Sequence, residues 1–195
     1  GIAGALDNSA LQNAWNTGAV TGNGNVGGIA GSVASSSVRN AVQTGDVEQR
    51  AGQTDSQVGG VVGLLQRSTL SHAVWKEGSV KAGSGAPIRK GVGETQVNPT
   101  VSDVKERSLD DMKKAATYAE WKDGSGKALV ATEGGKGTPW RIYDGKTMPL
   151  LTSLMKGTKR LAKVYDGNVF ATTDPHITLV HTGKDVGTYD AYSDQ

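Results

Sequence analysis

Gly22, Gly24 and Gly27 stand at the GxGxxG spacing that lets a pyrophosphate approach the N-terminus of a helix. A dinucleotide loop needs a helix to begin near the last glycine. Here the next residues are Ile29-Ala30-Gly31-Ser32-Val33, a strand-like run, and the match is read as an accident. Gly145-Lys146-Thr147 has the tail of a phosphate-binding loop, but Trp140 occupies the position where that motif requires its first glycine. A β-turn fits this stretch better. Ser84 and Ser125 each sit between glycines, yet Ala82 and Asp123 stand where a nucleophile elbow needs its outer glycine. Both serines read as turn residues.

The titratable residues fare no better as catalysts. Asp110 and Asp111 are adjacent, which in a helix points them in different directions, and acids are favoured in a first helical turn for electrostatic reasons. His176 and His181 lie in one strand-like run at an odd separation, so they face opposite sides and cannot share a metal. His72 stands alone between repeat positions and reads as a surface or groove histidine. Asp123-Gly124-Ser125-Gly126 lacks the ligand spacing of an EF-hand and reads as a solvated turn. No cofactor, metal or catalytic residue is assigned, and the chain is read as a non-enzyme.

Composition restricts the partners. Twenty-one Lys and Arg against nineteen Asp and Glu give a net charge of +2, too little for a nucleic-acid footprint. With no cysteine there is neither a disulfide framework nor a thiolate zinc site. No stretch approaches the roughly 18 apolar residues of a membrane span. Twenty-eight glycines and a single Phe in 195 residues predict many tight turns around a thin core.

The glycines mark a period. Gly1-Ile2-Ala3-Gly4 returns as Gly28-Ile29-Ala30-Gly31 and as Gly60-Val61-Val62-Gly63. Leu6, Val33 and Leu65 follow at matching positions, then Leu11, Val38 and Leu70, then Ala14, Ala41 and Ala73. Each copy closes on a glycine and a valine, at Gly18 and Val20, Gly45 and Val47, and Gly78 and Val80. Short alternating runs within each copy predict strands, and strands this short must stack to share a core. The expected fold is mainly β, a β-solenoid stacked as a right-handed parallel β-helix. Small residues at Ala3, Ala30, Gly4, Gly31 and Gly63 suit a narrow interior.

GGIAGSVASSSVRNAVQTGDV and GGVVGLLQRSTLSHAVWKEGSV resemble GLUG-type repeats, with Trp15, Val42 and Trp75 replacing the tyrosine often found before the closing glycine. A fourth copy begins at Gly91-Val92-Gly93 and then dissolves. The stretches Ala116 to Trp121 and Thr138 to Leu151 resemble the ending that commonly follows such repeats, and Val164-Tyr165-Asp166-Gly167-Asn168 looks like the start of a YDG-type module. The expected organisation is a repeat solenoid over 1–92, a capping segment over 93–157 and a truncated YDG-type β module over 158–195. Ser108 begins a short helix within the cap, and Trp121, Trp140, Ile142, Tyr143, Met148 and Leu150 are expected to cover the open apolar end of the last coil.

The resemblance implies a structural or binding segment of a large secreted bacterial surface adhesin, of the filamentous-haemagglutinin type exported by two-partner secretion. The implied partners are glycans, exopolysaccharide or surface proteins, in cell attachment or biofilm formation. A carbohydrate-binding or carbohydrate-active β-helix is the alternative. Because the chain opens on a repeat unit, it is expected to be a monomeric fragment of a longer protein. Trp15 and Trp75 are candidate ligand contacts, since an indole face stacks on a pyranose ring. Trp15 directly follows Ala14 whereas Trp75 lies two beyond Ala73, so the two are expected on opposite faces of their strands.

Overall fold

The structure, a computed structural model, describes residues 1–52, 57–133 and 137–155. The YDG-type segment and both His176 and His181 lie outside the described residues. Four coils stack along the first half. The first holds β1 (Ala3–Asp7), β2 (Ala10–Asn16), β3 (Val20–Gly22) and β4 (Val26–Gly27). The second holds β5 (Ala30–Ala34), β6 (Ser37–Gln43), β7 (Val47–Gln49) and β8 (Val58–Gly59). The third holds β9 (Val62–Gln66), β10 (Thr69–Lys76) and β11 (Val80–Lys81), and the fourth holds β12 (Val92–Gln96) and β13 (Thr100–Arg107).

Like strands pair in parallel from coil to coil, giving sheets ordered β1-β5-β9-β12, β2-β6-β10-β13, β3-β7-β11 and β4-β8. The architecture is a β-solenoid. Its register is the one the repeat predicts: Leu6 pairs with Val33 and Val33 with Leu65, Leu11 with Val38 and Val38 with Leu70, Ala14 with Ala41 and Ala41 with Ala73. Those rungs, with Ile29, Val47, Val61 and Val80, form one continuous interior core. The parallel stacking runs past residue 92: the fourth copy supplies two more strands, β12 and β13, with no counterpart of β3 or β4 among the described residues.

Glycine recurs because coil backbones meet at these rungs. A Cβ on Gly31 would lie 2.6 Å from the carbonyl oxygen of Gly4, and one on Gly45 would lie 2.1 Å from that of Gly18, inside any permitted contact. Gly27, the last glycine of the GxGxxG match, belongs to β4 and is followed by β5, with no helix.

Strict alternation fails at one rung of the second side. Asn13, Asn40, His72 and Asp103 all have φ between 51° and 56°. Left-handed backbone is tolerated best by short polar side chains and by His, which explains the residue types in this column. The kink resets the alternation, so Leu11 and Ala14, three residues apart, both face the core.

The second half begins with α1 (Leu109–Met112), capped by Ser108, whose Oγ accepts from the Asp111 N–H at 3.1 Å. A 3₁₀ turn over Ala115–Tyr118 follows, then a small sheet of β14 (Val130–Ala131), β15 (Trp140–Arg141) and β16 (Leu150–Leu151). This segment packs along the flank of the solenoid, where the sequence reading expected it over the last coil's end. Met112, Tyr118, Trp121, Trp140 and Ile142 form a second core with Val42, Val74 and Trp15, which point outward from β6, β10 and β2. Trp140 Nε1 donates to Asn13 Oδ1 in the first coil at 3.0 Å, far from the fourth. The physical reason is the apolar stripe on that flank, which needs cover as much as the ends do.

Candidate functional site

A polar recess lies where the kinked column meets the flanking segment. Gln12 and Arg39, neighbours across the β2–β6 pair, are exposed on the outer face beside Asn13, Asn40 and His72. The turn at Lys122, Asp123 and Gly124 forms the opposite wall, with Leu129 as its apolar contribution. The groove encloses about 260 Å³. Its floor exists because left-handed backbone turns the column's side chains out of the solenoid interior.

The floor is tied from both sides. Asn40 Nδ2 donates to Asn13 Oδ1 at 3.1 Å, and the same oxygen takes the Trp140 indole N–H, so Asn13 is a double acceptor joining two coils and the flank. Asn40 Oδ1 is buried without a hydrogen-bond partner. His72 is half-buried and its ring stands 6.4 Å from Trp121.

The opposite wall is an Asx-type turn. Asp123 Oδ1 accepts from the Ser125 N–H at 2.8 Å, from Ser125 Oγ at 2.6 Å and from the Lys127 N–H at 3.0 Å. The Ser125 hydroxyl first, then these backbone amides, hold the Asp123 carboxyl below its ordinary range. A carboxyl held ionised is a poor general acid. It is also the sole carboxylate among the lining residues, where glycoside hydrolysis uses two. The groove therefore offers a mixed set of amide, imidazole, guanidinium and carboxylate groups suited to hydrogen bonding.

Neither sequence-selected tryptophan lines this groove. Trp75 points into the solenoid core at 4 % exposure, its ring filling the space left by Gly60 and Gly91. Trp15 points outward, half-buried beneath the flanking aromatic layer. The two do face opposite ways, as alternation beyond the paired Ala14 and Ala73 requires: Trp75 shares the register of Asn16, the next inward position, and Trp15 lies one residue before it. Gly145 (φ 70°) and the Lys146 N–H bond to the Tyr143 carbonyl make Gly145-Lys146-Thr147 a turn. No cluster of three or more His, Cys, Asp or Glu able to hold a metal occurs among the described residues, and none of the helices there is long and apolar enough to cross a membrane.

The groove residues Gln12, Asn13, Arg39, Asn40 and Lys122 were missed as a site by sequence reasoning. Their signal was the recurrence of Asn, Asn, His and Asp one residue before Ala14, Ala41, Ala73 and Val104. No protein-family model matches the chain, and neither the curated proteins nor the solved structures gave a match.

Proposed function

We propose that the chain is a structural and binding segment of a secreted bacterial surface adhesin, its coils forming a stiff rod and its flank groove contacting glycan or surface polysaccharide. The observation that carries this reading is the in-register parallel stacking of repeat coils, an architecture that extends by adding units and presents side-chain columns at a fixed pitch. The amide and guanidinium groups of Gln12, Asn40 and Arg39 are of the kind that hydrogen-bond sugar hydroxyls, and the resemblance to GLUG-type repeats supplies the adhesin context. The test is a glycan and exopolysaccharide array probed with the purified chain and with Arg39→Ala and Gln12→Ala variants. Saturable binding, weakened tenfold or more by Arg39→Ala, is expected. A blank array, together with no gain in adhesion by cells displaying the chain, would reduce the segment to a spacer.

A further inference from the structure

Four rungs of the solenoid carry the same glycine: Gly4, Gly31, Gly63 and Gly93. At three of them glycine is forced. A Cβ on Gly31 would meet the Gly4 carbonyl oxygen at 2.6 Å, one on Gly63 the Gly31 oxygen at 2.6 Å, and one on Gly93 the Gly63 oxygen at 2.7 Å. In each case the obstacles are backbone atoms of coils earlier in the chain, with Val26 N at 2.5 Å from a Cβ on Gly63 and Val58 N at 2.4 Å from one on Gly93. At Gly4 an added Cβ meets nothing within 4 Å.

Gly18 repeats the pattern on another side. A Cβ on Gly45 would lie 2.1 Å from the Gly18 oxygen and 2.8 Å from that of Thr17, again the preceding coil, whereas one on Gly18 meets only Asn16 Oδ1 at 3.5 Å. Neither Gly4 nor Gly18 has a positive φ, so backbone conformation does not call for glycine at either position. The third coil, which carries one more residue between its second and third strands, has Gly78 for a different reason, a φ of 68°.

The surroundings agree. β1, β2, β3 and β4 each end their sheet with one side unpaired. A crevice of about 230 Å³ opens there, lined by Ile2, Ala3, Gly4, Val20 and Val26 among others. Ile2 is 48 % exposed, whereas its counterparts Ile29 and Val61 are fully buried.

We propose that the open face of the first coil is a docking surface for one further complete coil of the same repeat, stacked parallel and in register. Such a coil places carbonyl oxygens over both Gly4 and Gly18 and pairs the free edges of all four strands of the first coil. The fourth coil of a second copy does not fit this description. After β13 the chain turns into α1, so that coil has no third-side strand to lie on β3 and no carbonyl to reach Gly18.

The test inserts residues 28–59 ahead of Gly1 in the full chain, a junction that reproduces the natural step from Gly59 to Gly60. The melting temperature is expected to rise by roughly 5 °C or more. Gly4→Ala and Gly18→Ala, which leave the parent chain's melting temperature unchanged or raise it, are each expected to lower that of the extended chain. An unchanged melting temperature on extension, or both substitutions silent in the extended chain, overturns the proposal. Concentration-dependent association of the parent that Gly4→Ala abolishes and Gly18→Ala does not would also overturn it, by assigning the face to a second copy's fourth coil.

Discussion

Asp123 sets one wall of the groove through a single oxygen with three donors, and its acid behaviour follows from them. A carboxyl whose folded value is lowered stabilises the fold fully above its unfolded value, about 3.9, and loses that contribution as pH falls through the lowered folded value. Asp123→Ala is therefore expected to melt below the parent at neutral pH. The gap should narrow in acid, and melting curves recorded from neutral pH down to about pH 2 check it; a constant gap would mean that the donors do not act through the ionised oxygen. At this scale the sequence was legible only where a residue's role is local. Ser108 announced its helix cap and Asp123 its turn, because both bond within a few residues of themselves. The Asn13, Asn40, His72 and Asp103 column was hidden because period-two alternation assumes uniform extended backbone, and left-handed residues break that assumption.

The coils were legible for a different reason. A solenoid rung requires the same residue class at the same place in every turn, so the pairs Ala14–Ala41 and Ala41–Ala73 appear in the sequence as they do in the sheet. The fourth coil was half-hidden because it keeps two sides and loses the closing Gly-x-Val. The flanking segment was recognisable as a cover, and its position was not. Trp15, Val42 and Val74 follow the inward alanines directly and form the apolar stripe it covers, but nothing local says which apolar surface is left open. Trp140 is the centre of that cover, fully buried, in edge contact with Trp121 and bonded to Asn13. Trp140→Ala is expected to cost about 3–5 kcal/mol, read as a lowered urea midpoint. Trp140→Phe should recover much of the packing but not the bond to Asn13. An unchanged midpoint in Trp140→Ala would show that the flank is not energetically coupled to the coils.

For the molecule as a whole, the repeat made the solenoid readable, while the groove needed the flank to be placed against the coils. The same placement fixes an order of assembly. Coil-to-coil pairs join residues 27 to 33 apart, as in Ala3 with Ala30 and Val47 with Val80. The bond from Trp140 to Asn13 spans 127 residues. Closing a loop costs entropy that grows with its length, so contacts between neighbouring coils form at lower cost than the distant clasp. Once the coils have stacked, most of the intervening chain is already compact and the remaining closure is short. The flank is therefore expected to dock last, and stopped-flow fluorescence can time it. A chain whose only tryptophan is Trp75 should reach its final signal before one whose only tryptophan is Trp140, and simultaneous or reversed signals would refute this order. Unfolding runs the sequence backwards. The clasp between the beginning and the later part of the chain is then the first contact released, and its lifetime limits how soon the coils beneath it can begin to separate.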